Sequence, residues 1–294
     1  MNRVGQSRRA RPETALFVSA ALLVSLGSLL VPSGGMSLWQ IVLLAVGVAL
    51  FGLPHGALDP WIARRAGLPL GRVEFTLVYL ALALAVTALW WWQPVIMLAL
   101  FLLISAWHFS DDWQAELPSW PRRGIGLALL SLPAWSHPEI VRSLFGFLAG
   151  PGGEQLAAGI TAAGWLAVPV LAGAASWLLV AARPRSAIEL LALLLLGWLA
   201  TPLVYFVLYF CLLHSPRHLL AECGRTPRGQ RPALFKVALV FTVATLTLAV
   251  PAVIWLVQSG NVEQVLVRTV FIGLAALTVP HMALMFWVQR MQRA

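Results

Sequence analysis

Five of the six histidines in this 294-residue chain lie in or beside strongly apolar stretches: Pro54-His55-Gly56-Ala57-Leu58-Asp59, Trp107-His108-Phe109, His214-Ser215-Pro216-Arg217-His218 and Pro280-His281-Met282. Imidazole is the commonest metal ligand among side chains, and an ionisable group at membrane depth is costly. Each of these residues is therefore a candidate for a site. His214 and His218 are four residues apart, so they share one helix face and both rings can reach a single ion. Asp59 follows His55 by one helical turn, and Asp111 and Asp112 follow His108 closely. A carboxylate in that position orients a ring by accepting its second N–H; the plainer reading is helix capping, or contact with water at the inner boundary. Arg217 is a cation inside the densest motif, able to pair with Asp59, Asp111, Asp112 or Glu222, or to snorkel. An isolated H-x-x-x-H arises by chance, and a lone intramembrane histidine can simply hydrogen-bond across helices; five residues in four apolar segments weaken that explanation for the set. Imidazoles suit iron, copper, zinc and nickel alike, so residue type does not name the metal. His137, beside Pro138, reads as an ordinary interfacial histidine.

The elements that must position these residues are membrane helices. Hydrophobic residues make up 60% of the chain and charged residues 11%, with a mean hydropathy of +0.84, which marks an integral membrane protein. Apolar segments run from Thr14 to Val31, Leu38 to Leu58, Val73 to Trp92, Pro94 to Phe109, Gly124 to Trp135, Ala157 to Ala182, Ser186 to Ala200, Pro202 to Leu220, Ala233 to Val257 and Leu266 to Val288. The fifth and seventh are short for a span, so the expectation is an all-α polytopic bundle of roughly 8–10 transmembrane helices. It forms one transmembrane domain over residues 1–294, with 1–13 a short basic cytoplasmic tail and the motifs on helices near 38–58, 94–109, 202–220 and 266–288.

The net charge of +9 forms no basic stripe, so it reads as a topology signal and gives no support to a nucleic-acid partner. Arg3, Arg8, Arg9 and Arg11, then Arg64, Arg65, Arg72, Arg122, Arg123, Arg183, Arg185, Arg225, Arg228, Arg231, Lys236, Arg290 and Arg293 fall on one side; only Arg142 and Arg268 fall on the other. Both termini are then cytoplasmic. The four motif helices all run outward to inward, with their histidines in the cytoplasmic half. Facing helices that project side chains to one depth are what a metal site in a bundle requires. Cys211 and Cys223 read as reduced thiols. Trp90-Trp91-Trp92 ends an apolar run, as rings at the headgroup level do. The first segment lacks a convincing cleavage site and is expected to stay as a helix.

On these motifs, in this order from Phe51 to Met282, the chain resembles the Brp/Blh family of membrane β-carotene 15,15′-dioxygenases. Ser110 departs from the glycine expected after the His-Phe pair. The resemblance implies a non-haem iron(II) site in the cell (inner) membrane that uses dioxygen to split the central 15,15′ double bond of β-carotene into two molecules of all-trans-retinal, with a functional link to a retinal-using rhodopsin. His55, His108, His214 and His218 match the family's proposed iron ligands; His281 matches its Pro-His-Met motif as a fifth ligand or as a support to the others. Aromatic faces can stabilise electron-poor intermediates of polyene cleavage, and the candidates are Phe210, one turn before His214, with Trp107, Phe109, Tyr205 and Tyr209.

Three other readings compete. A different membrane iron oxygenase acting on a carotenoid or lipid, of the two-iron kind, needs more histidine than this chain offers. A metal or proton transporter should show polar groups through the outer half as well, where the helices are nearly uniform in Leu, Ala and Val. A retinal-binding rhodopsin needs an amine at mid-membrane, and the only lysine, Lys236, lies at the inner end of its helix.

Overall fold

Proline sets where many of the helices begin, because its missing N–H is harmless in the first turn and its fixed φ suits a helix start. In the computed structural model, which describes residues 12–30, 35–258 and 260–291, the helices are α1 (Pro12–Leu30), α2 (Leu38–Gly47), α3 (Leu53–Gly56), α4 (Asp59–Arg65), α5 (Arg72–Trp92), α6 (Pro94–Ser110), α7 (Ser119–Ser136), α8 (Pro138–Gly164), α9 (Ala167–Val180), α10 (Pro184–Leu199), α11 (Pro202–Leu208), α12 (Ser215–Arg225), α13 (Arg231–Val257) and α14 (Val262–Met291). Proline occupies the first turn of α3, α4, α6, α8 and α10 to α13. No strand occurs among the described residues. The basic tail carrying Arg3, Arg8, Arg9 and Arg11, and Arg293 at the other end, lie outside them.

Among the described residues, seven stretches are long and apolar enough to cross a bilayer: Pro12–Leu30, Leu38–Arg65, Arg72–Trp92, Pro94–Trp113, Pro202–Arg225, Arg228–Val257 and Val262–Met291. The pair α8 and α9, bent by 47°, brings the number to eight when counted as one broken span. The expected multi-pass helical bundle is therefore observed, with α7 and α10, the fifth and seventh segments, at only 18 and 16 residues. The sixth segment differs from expectation. It opens at Pro138, well before Ala157, because Glu139, Arg142, Glu154 and a glycine-rich run mask its apolar signal while the chain remains helical on both sides of a kink. Gly150 makes that kink at φ 62°, ψ −153°, a conformation that only glycine adopts freely.

The span containing α11 and α12 is the most buried of the set, whereas α5 and α13 turn most of their residues outward. Around the centre, α1 lies along α10, α10 along α9, α7 against both α6 and α8, and α14 against α5. Trp91 and Trp92 are exposed as the belt reading expects, but Trp90 is buried and donates its indole N–H to the Leu148 carbonyl at 3.1 Å. Adjacent helical positions face about 100° apart, so a run of three tryptophans cannot share one environment.

Helix α7 reaches α6 closely enough to shape the site. A Cβ placed on Gly126 would overlap the carbonyl of Ala106, two residues before His108. Gly126→Ala is therefore expected to cost about 1–3 kcal/mol, the usual penalty for overpacking, read as a lower Tm of the detergent-solubilised protein. An unchanged Tm would contradict this close approach.

Candidate metal centre

Two of the histidine motifs sit at the end of a widened helical turn or just after it. Residues Val48–Gly52 and Tyr209–His214 are π-helical, and Pro54 and Pro216 lie just beyond them. A proline inside a helix has no N–H to donate and its ring crowds the carbonyl four residues back; a π turn relieves both problems by adding a residue to the turn. The widened turns end at Gly52 and at His214, so they set the rotation of the segments that carry His55, His214 and His218. Ser215 Oγ donates to the Phe51 carbonyl and ties the two widened turns together.

All five motif histidines converge. Between ring centroids, His214 lies 4.5 Å from His218 and 4.7 Å from His108, His281 lies 5.0 Å from His108, and His55 lies 5.4 Å from His214. Two overlapping triads, His55-His108-His281 and His108-His214-His218, each offer three ring nitrogens within 4.8 Å of one another. His137 is remote, placed before α8 with its Nδ1 3.0 Å from Ser136 Oγ, and burial alone holds its pKa below the ordinary histidine value.

The outer hydrogen bonds decide which nitrogen faces inward. His55 Nδ1 stands 2.6 Å from the Gly52 carbonyl, which can only accept, so the proton is on Nδ1 and the Nε2 lone pair is free. His281 Nδ1 donates to Asp59 Oδ1 at 2.7 Å, and its buried Nε2 has no hydrogen-bond partner among the described residues. His214 Nδ1 lies 3.1 and 3.2 Å from the two oxygens of Asp112. Its Nε2 is 3.1 Å from His108 Nε2. Two nitrogens bound at right angles to one ion at about 2.1 Å would stand about 3.0 Å apart. A proton on His108 Nε2 would satisfy that pair equally well, but it would leave the lone pairs of His55 and His281 facing the same space with no donor. Each triad thus gathers three ring nitrogens, with His108 shared between the two, and such donors fit a borderline transition metal. His218 is less enclosed, with its side chain 31% exposed and Nε2 3.3 Å from Asp112 Oδ1.

The carboxylates divide differently from the sequence expectation. Asp59, four residues from His55, orients His281 instead, because its position at the start of α4 turns it across to α14. Asp112 is buried, supports His214 and accepts the Tyr209 hydroxyl at 2.7 Å. Asp111, expected beside a ring, pairs instead with Arg122 at 2.6 Å and Arg123 at 3.4 Å. The chain tightens into a 3-10 turn at Asp111–Trp113, where consecutive side chains point about 120° apart, so only one of the two acids faces inward. Arg217 pairs with none of the acid side chains expected for it. It donates to Glu189 Oε1 at 2.6 Å and to the Asp112 carbonyl at 3.2 Å, while Glu222 is taken by Arg65 at 2.7 and 3.0 Å. Glu189, fully buried on α10, also accepts from Thr14. No motif marked it.

A pocket lined mostly by apolar side chains opens beside the triad of His55, His108 and His281. Of the aromatic candidates, Phe109 and Phe210 line it. Trp107 does not; it is half exposed, with the Arg123 guanidinium 3.4 Å over its ring. Tyr205 and Tyr209 are buried and do not line it, and Tyr209 serves Asp112. Phe101 and Phe206 also line the pocket, two turns before His108 and one before Phe210, and helical spacing alone could have found them. Phe75, Tyr79 and Phe241 come from α5 and α13, which carry no motif.

Comparison with known proteins agrees with the motifs. A family model described as beta-carotene 15,15′-dioxygenase matches residues 46–289. The beta-carotene 15,15′-dioxygenase of uncultured marine bacterium 66A03 is 32% identical over 263 residues, spanning 83% of this chain and 92% of that protein. A probable beta-carotene 15,15′-dioxygenase Blh of Halobacterium salinarum is 29% identical over 300 residues, spanning 85% and 84%. No solved structure matches the chain.

Proposed function

Because the chain belongs to the β-carotene 15,15′-dioxygenase family, it is an oxygenase that cleaves a carotenoid, and we propose that it splits the central 15,15′ double bond of β-carotene with dioxygen at a ferrous ion. One carbon–carbon double bond breaks and each of its carbons takes one oxygen atom, so a single dioxygen accounts for two molecules of all-trans-retinal without a further reductant. The observation that carries this reading is the convergence of the imidazole nitrogens beside an aromatic pocket, with His214 and His108 3.1 Å apart.

In this reading His55, His108, His214 and His218 hold the iron and His281 completes the set. When bound, the metal supplies a redox-active centre for dioxygen. Gly52, Asp59 and Asp112 fix the rings from behind, the last two as carboxylates one residue removed from the ion. Phe101, Phe109, Phe206 and Phe210 form a hydrocarbon wall that excludes water and offers π faces to a polyene losing electron density. Leu80, on the rim and 47% exposed, belongs to the outward face of α5, so a lipid-phase substrate can enter laterally. The arginine-rich loops suit an inner-membrane orientation with those loops in the cytoplasm, and retinal released into the bilayer suits a rhodopsin as its consumer.

Expression in cells that accumulate β-carotene is expected to bleach them and yield retinal, with iron retained through purification. Correctly inserted protein that leaves the colour intact, forms no retinal and carries no iron would sink the proposal.

A further inference from the structure

Helix α5 is mostly turned outward, yet Tyr79 on it reaches two atoms that set the position of His281. Its hydroxyl lies 2.9 Å from Asp59 Oδ2 and 3.1 Å from the Leu277 carbonyl. Asp59 Oδ1 accepts from the His281 ring at 2.7 Å. Leu277 is one helical turn before His281 and belongs to the turn that Pro280 interrupts. A proline there removes one rung of the helix ladder, so this part of α14 depends on contacts from outside. We infer that Tyr79 is a positioning residue, acting through Asp59 on His281, and that it joins this support to the substrate pocket.

Tyr79, Asp59 and His281 all line the pocket beside the histidine triad. A ligand that presses on the Tyr79 ring therefore bears on a group whose hydroxyl holds Asp59. Asp59 is fully buried and bonds both groups, so a displacement at Tyr79 passes through it to the ring whose inner nitrogen is left for the metal. Removing the hydroxyl leaves one Asp59 oxygen in an apolar pocket without its donor, which is the costly way to lose a hydrogen bond. Filling of the pocket and aim of His281 are thus mechanically linked. Nothing in the sequence marks Tyr79 for this: it stands among apolar residues far from every histidine motif.

This inference rests on the reading of the histidines as an iron site. Tyr79→Phe keeps the ring and removes only the oxygen. With β-carotene as substrate, it is expected to lower kcat about 10-fold while KM stays within about twofold, and to weaken iron about 10-fold in competition with a chelator, the scale for loss of an outer partner. The electron paramagnetic resonance signal of the ferrous protein exposed to nitric oxide is expected to change, and to change in the same way in Asp59→Asn. In a His281→Gln background the Tyr79 substitution should add nothing. Wild-type iron affinity, signal and kcat in Tyr79→Phe would overturn the inference and leave the iron reading intact; so would an unaltered signal in Asp59→Asn. Wild-type protein that binds no iron would overturn both.

Discussion

His214→Gln is expected to abolish iron retention and to reduce retinal formation by more than about 100-fold, beyond what loss of an outer partner causes. The size of the effect comes from position. His214 is fully buried, faces His108 at 3.1 Å through Nε2 and Asp112 through Nδ1, and stacks on Phe210 with ring centroids 5.6 Å apart. It is the ring through which His108, His218 and Asp112 meet. Glutamine keeps a polar side chain in a closed site, so the loss measures ligation rather than a cavity. Metal analysis of purified protein together with product formation decides it, with His137→Ala as the control that changes neither. Retained iron and activity in His214→Gln would remove this residue from the ligand set and with it the central argument.

Asp112→Asn is expected to weaken iron about 10-fold and lower kcat to a similar extent. The amide can still accept from His214 Nδ1 and can donate to the Tyr209 oxygen, so the geometry survives and the effect isolates the charge. A carboxylate one residue behind a neutral ligand raises that ligand's basicity, and in a buried site no water replaces it. Asp111→Asn provides the contrast, because Asp111 serves Arg122 and Arg123 and bonds no ring; less than about a threefold change in iron affinity is expected there, below the scale for loss of a ring's outer partner. Equal effects from the two substitutions, measured by chelator competition, would mean that Asp112 does not act on His214.

These two neighbours show how far the sequence could be read. Both acids come soon after His108 and both are candidates to orient a ring; the 3-10 turn that turns one inward and the other toward α7 leaves no trace in composition or spacing. The pair Asp59 and His281 makes the same point across 222 positions. Periodicity relates residues on one helix, and only packing brings the start of α4 against α14. Glu189 on α10 and Tyr79 on α5 stayed invisible because neither lies near a motif, whereas Phe101 and Phe206 were reachable by counting turns from His108 and Phe210.

By itself the sequence determined the membrane class, the helical bundle, the four motifs and the family they resemble, because apolar run length and the rarity of polar groups in lipid are local properties that no packing can undo. The tertiary structure decided which carboxylate serves which imidazole, which ring nitrogen turns inward, and which aromatics border the pocket. Those choices depend on π turns at Val48–Gly52 and Tyr209–His214 and on close helix approach as at Gly126, where a rotation of one residue, or the lack of a single Cβ, redirects a side chain from one neighbour to another.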